Sequence, residues 1–200
     1  MAQISPHPHS RDQRAVAGSD PWFYKQRSEA LSGVYLTRQP DILALVQRSP
    51  LPEVGDSILV RPRAGGTSPV WSFAVVPKGF TRRGARRGDV LTDIPVRLRP
   101  ADVTDRGMPT SLFLFDLDSE QGYHRWLYAP DFSSQGVPIL DLDPSIRPED
   151  FGEGDQEQLV VVLRFAPLDN SAISAMIERV ADWYAAKTPR NDRMFATGMG

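Results

Sequence analysis

Cysteine is absent from the 200 residues. That excludes a disulfide framework, a thiolate nucleophile and a cysteine-ligated zinc site. Histidine is scarce, and two of the three, His7 and His9, stand in a proline-rich opening stretch without helical spacing. No apolar run approaches the ~20 residues that a membrane-spanning helix needs. The opening MAQISPHPHSRDQRAVAGSD lacks the apolar middle of a secretory signal. The expectation is a soluble chain of a reducing cytoplasm. Serine nucleophiles lack context, since there is no G-x-S-x-G. RAGGTSP lacks the lysine of a phosphate-cradling loop.

What is present is a lean apolar fraction of 40%, 18 prolines and an uneven charge. Residues 61–100 carry nine Lys and Arg against two acids, whereas residues 101–160 carry three Arg against thirteen acids. Net charge is only −2. The asymmetry therefore says more than the total: one stretch suits an anionic partner, the other a basic one. The length suits one globular domain over 21–188, with tails at 1–20 and 189–200.

Periodicity orders the elements. Asp20 and Pro21 open a helix over 21–38, with Trp22, Phe23, Leu31, Val34 and Tyr35 as its buried stripe and Pro40 as its stop. DILALVQ (41–47) is a strand or a helical turn. SILVRPR (57–63) alternates as a strand does, with Ile58 and Val60 on one face. VWSFAVV (70–76) is a strand that ends at Pro77. DIPVRLRP (93–100) is an edge strand on account of Pro95. TSLFLFDLD (110–118) and EQLVVVLRF (157–165) are continuously apolar, as central strands are. YHRWLYAP (123–130) returns as a half-buried partner, and 131–157 is an acidic loop. Ile173, Met176, Ile177, Val180 and Tyr184 recur at helical steps in a closing helix over 171–187, capped by Asn170 or Ser171. Trp71, Trp126, Trp183 and Tyr184 belong to the core. The class is α+β: a mixed, mostly antiparallel central sheet of about five or six strands, flanked by an N-terminal and a C-terminal helix.

Three constellations carry chemistry. GFTRRGARRGD puts Arg82, Arg83, Arg86 and Arg87 beside Lys78 in a glycine-punctuated loop suited to phosphates or an acidic partner. FDLDSEQGYH offers Asp116, Asp118 and His124 as metal-ligand types, which the two-residue strand period and a turn would have to bring together. The plain reading of both is a solvated loop and a polar strand end. The acidic loop, with Asp141, Asp143, Glu149, Asp150, Glu153, Asp155 and Glu157, lacks EF-hand spacing and reads as a solvated or docking surface.

The third is the order of RSEALSGVYLTRQPDI, VGDSILV, FAVVPKG and MPTSLFLFDLDSEQGYHRWLYAP. Over residues 22–130 this resembles the PD-(D/E)xK nuclease superfamily, in particular its DUF4365-type bacterial branch. The resemblance implies a site in which two carboxylates on neighbouring strands hold Mg²⁺, and a lysine two residues past the second steadies developing charge. Asp56 matches the first carboxylate and Lys78 the lysine. The second carboxylate falls on Val76, which cannot ligate a metal, and Pro77 follows it. The implied reading is a non-catalytic, nuclease-like interaction or regulatory module of a bacterial system, in defence or nucleic-acid handling. Asp56 and Lys78 are its vestigial site, and Lys78 to Arg87 bind nucleic acid or a protein partner. It needs no cofactor. Two alternatives stay open: a Mg²⁺-dependent nuclease whose second carboxylate has migrated, to Glu53 or Asp93, and a structural subunit of a larger or self-associated assembly.

Overall fold

The computed structural model describes residues 22–48, 55–63, 70–81, 93–151 and 158–187. Both tails, Glu53 and Arg82, Arg83, Arg86 and Arg87 lie outside the described residues. The elements run α1 (Trp22–Thr37), β1 (Ile42–Gln47), β2 (Ser57–Pro62), β3 (Phe73–Phe80), β4 (Asp93–Leu98), a 3-10 turn (Pro100–Asp102), β5 (Thr110–Asp116), β6 (Gln121–Phe132), β7 (Pro138–Leu142), a second 3-10 turn (Pro148–Asp150), β8 (Leu159–Arg164), β9 (Ala166–Pro167) and α2 (Asn170–Lys187). The main sheet has the order β1-β2-β3-β5-β6-β7, with β9 also on β6. Among the described residues, only β3 and β5 pair in parallel. The α+β class with a mixed sheet and a helix at each end is as the sequence suggests.

The architecture has three layers. One face of the main sheet, through Phe73, Val75, Phe113 and Phe115, packs against Leu36 of α1 and Ile173, Met176 and Val180 of α2. The other face, through Val76, Phe80, Leu112, Leu114 and Leu127, packs against Ile94, Val96 and Leu98 of β4 and Val161 and Leu163 of β8. β4 and β8 form a sheet of their own. Thus both helices share one face, and a second small sheet covers the other. Among the described residues, no helix is long and apolar enough to cross a membrane.

Several expectations need correction. EQLVVVLRF is not a central strand: among the described residues β8 pairs β4 alone, and Val160 and Val162 are exposed while Val161 and Leu163 are buried. A run of uninterrupted valines hides the two-residue period that would have shown it. β7 rises from the stretch read as an acidic loop, because PILDL is short and half exposed. In α1 the buried face is Ser28, Ser32 and Leu36, and Phe23 and Val34 are exposed. Both serine hydroxyls donate to carbonyls one turn back, Ser28 to Lys25 and Ser32 to Ser28. Polar side chains satisfied by their own helix can face a sheet at close range. The α2 cap is Asp169, whose Oδ1 accepts from the Ala172 N–H at 2.8 Å.

The strand that meets Pro77 does not end there. β3 runs on to Phe80. Ala74 N donates to Pro109 O, and Phe80 O accepts from Leu117 N. Even-numbered residues of β3 therefore turn their backbone groups to β5, and odd-numbered ones to β2. β2 pairs β3 only as far as Ile58 with Val75. Pro77 lacks its N–H on the side where, among the described residues, no strand pairs it, so the ladder loses nothing.

Candidate functional site

The same divergence makes a cleft. Had the β2 to β3 register continued, Ser57 would oppose Val76 and Asp56 would oppose Pro77. Instead the strands part, leaving a cleft of about 240 Å³ along the unpaired half of β3. The first turns of α1 form one wall, with Tyr24, Lys25, Ser28 and Glu29. Arg97 and Arg99, at the end of β4, and Asp102, in the following 3-10 turn, form the other. Asp56, Val76 and Lys78 line the floor. The structure thus brings Asp56 and Lys78 to one cleft.

It also shows what holds them. Lys78 donates from Nζ to Asp102 Oδ2 at 2.6 Å, and the two side chains are 14% and 2% exposed. Asp102 accepts as well from the Arg99 N–H at 2.9 Å and from the Arg99 guanidinium at 3.1 Å. Burial alone would raise the Asp102 carboxyl. Lys78 and Arg99 outweigh it and bring the group down to about 2. Arg99 is raised in turn, first by the charge of Asp102. Lys78 is therefore a tie between the two sheets, not a mobile cation.

Asp56 is held too. Lys25 Nζ lies 2.5 Å from its Oδ2, and Arg48 Nη1 lies 3.1 Å from the same oxygen. Arg48 also grips Glu29 with both arms at 2.7 Å. These hydrogen bonds, Glu29 first and then Asp56, raise the Arg48 guanidinium above its ordinary value. Two carboxylates that face one cleft thus share one guanidinium. A divalent cation would have to displace Arg48 and Lys25 to reach them. Val76, on the cleft floor and 2% exposed, offers no oxygen donor. Among the described residues, no group of three His, Asp or Glu side chains is arranged to hold a metal ion.

Other sequence candidates lie elsewhere. Asp93 is on the exposed side of β4, 3.7 Å from Arg164, and does not line this cleft. Asp116, the last residue of β5, accepts from the Asp118 N–H and the Ser119 hydroxyl, closing the turn in which Asp118 lies. Asp116 and His124 are on opposite faces: Asp116 shares its face with Leu114, which pairs Tyr123, whereas His124 pairs Phe113. Among the described residues, His124 Nδ1 is buried without a hydrogen-bond partner, and burial lowers the imidazole despite the charge of Asp169. Trp71 and Trp183 are buried, and Trp126 and Tyr184 pack half-buried against the core.

Sequence reading missed Lys25, Glu29, Arg48, Arg99 and Asp102. Glu29 and Arg48 are 19 residues apart and join only through the fold. Asp102 had a faint signal: the sequence RPAD places an acid three residues after Arg99 with proline between, and its carboxylate accepts from the Arg99 N–H at the start of that turn. Comparison with family models, curated proteins and solved structures returns no match.

Proposed function

We propose that this chain is a non-catalytic, nuclease-like recognition module whose cleft binds the phosphate backbone of nucleic acid without cutting it. The observation that carries the reading is the pairing of Glu29 and Asp56 with Arg48 and Lys25, beside an aliphatic Val76. Positions where metal-dependent cleavage needs free oxygen donors are filled by the chain's own cations. With Arg48 counted, Lys25, Arg48, Lys78, Arg97 and Arg99 face three acids, Glu29, Asp56 and Asp102. The excess of positive charge suits phosphates, which need neutralising but no chemistry. The strand that bears Lys78 leads at Phe80 and Thr81 into the segment of Arg82 to Arg87, so the cleft and the most basic stretch of the chain are contiguous in sequence.

The test is a binding titration against salt. The chain binds oligonucleotides with a log–log salt slope that shows release of several counterions, and Arg97→Ala with Arg99→Ala weakens binding and flattens the slope by about one unit per lost phosphate contact. A salt-independent interaction, or none at low salt, contradicts the reading.

A further inference from the structure

Strand β1 closes one side of the main sheet, and among the described residues no strand pairs its outer edge. One bond fixes the phase of its ladder. The Arg63 N–H donates to Asp41 O at 2.8 Å, and the β1–β2 register, continued by one pair, sets these two residues opposite each other. Bonded and non-bonded pairs alternate in an antiparallel ladder. Leu43, Leu45 and Gln47 therefore turn their backbone groups to β2, as Asp41 does. Ile42, Ala44 and Val46 turn theirs outward, three N–H and three C=O groups in a row.

Edge strands are ordinarily guarded by charge or proline. β7 holds Pro138 and Asp141, β4 holds Pro95 and Arg97, and β8 ends in Arg164. β1 reads ILALVQ and has neither guard. Leu45 and Val46, on its two faces, are 41% and 53% exposed. An apolar strand with outward backbone groups is a template for another strand.

The strand that fits is its own copy. A two-fold axis perpendicular to the sheet keeps each face on its own side, so even-numbered residues oppose even-numbered ones. The outward groups of β1 are the even-numbered ones. With the axis on Ala44, that residue faces the partner's Ala44, and Ile42 faces the partner's Val46. Every outward group from Ile42 to Val46 is then bonded. On the other face Leu43 meets the partner's Leu45, and Asp41 meets the partner's Gln47, whose amide donates to a carboxylate. No like charges oppose each other. We infer that β1 joins a second copy of this chain, antiparallel about Ala44, into one continuous sheet. The inference goes beyond the reading of the cleft and does not depend on it.

The test uses the full chain and sedimentation velocity over a range of micromolar concentrations. The mass rises with concentration from 22.3 kDa towards twice that value. Ala44→Pro removes an N–H that points outward, so the monomer keeps its ladder. The dimer loses its central bonds and its dissociation constant rises at least about tenfold. An unchanged melting temperature of the dilute monomer verifies folding, and where Ala44→Pro does not fold, Val46→Lys at the exposed edge gives the same readout. Cross-linking reads the register, since the chain has no cysteine of its own. On oxidation, Leu43→Cys mixed with Leu45→Cys forms a disulfide-linked dimer, and neither variant alone does so. A monomer at every concentration, a dimer indifferent to the edge substitutions, or cross-linking that does not follow this pairing overturns the inference.

Discussion

Lys78 on β3 donates to Asp102 in the turn after β4 across 2.6 Å, and so binds the main sheet to the small one. The pair is nearly dry, and each partner is costly to leave alone. Lys78→Met strands the Asp102 carboxylate with only Arg99, and stability falls by about 3 kcal/mol in a chemical denaturation experiment. Asp102→Asn costs a similar amount. The double variant loses less than the sum, and the double-mutant cycle gives a coupling of at least ~1 kcal/mol. Additive losses would show that the pair does not act as a unit.

The same carboxyl sets an acid limit on folding. Held at about 2 against an ordinary 3.8, Asp102 binds its proton less readily in the folded chain than in the unfolded one. Its contribution, about 2 kcal/mol, is complete above pH 4 and is lost as pH falls towards 2. Asp143 adds to the same slope: burial would raise its carboxyl, but Arg125 holds it down. His124 acts earlier. Its imidazole is lowered by burial from an ordinary 6.5, so stability declines once pH drops below that value. Denaturation midpoints between pH 7 and pH 2 should fall in two stages. His124→Gln removes the upper stage, and Asp102→Asn reduces the lower one.

Arg48 bridges Glu29 and Asp56 from the surface, its own side chain 56% exposed. Exposed pairs contribute little stability, so Arg48→Ala lowers it by less than ~1 kcal/mol. It does remove the guanidinium that Glu29 and Asp56 share, leaving Asp56 on Lys25 alone of the two cations. Mn²⁺ titration followed by electron paramagnetic resonance should detect binding in Arg48→Ala that is weaker or absent in the unaltered chain, and Asp56→Ala in the same background abolishes it. Equal Mn²⁺ affinity with and without Arg48 contradicts the role given to its guanidinium.

Strong local patterns were legible in the sequence. The helix of Ile173, Met176 and Val180 and the fully buried β5 follow from period and composition. Asp56 and Lys78 were singled out only through the resemblance, and their meeting in one cleft is a finding of the fold. What was not legible depends on neighbours. Val160 to Val162 give no period, so only the absence of a covering layer reveals that β8 is half exposed. Ser28 and Ser32 look like surface residues until the helix is laid on β3. Pro77 looks like a strand end until β2 is seen to part from β3 after Val75. Asp102 sits in a three-residue turn with no periodic signal, yet it determines what Lys78 does.

A cleavage time course decides whether the cleft proposed to bind nucleic acid also cuts it. Labelled single-stranded and duplex substrates are incubated with the chain in Mg²⁺ or Mn²⁺ and resolved by length. The account predicts intact substrate at protein concentrations where anisotropy shows it bound. Metal-dependent fragments that vanish with Asp56→Ala would contradict it.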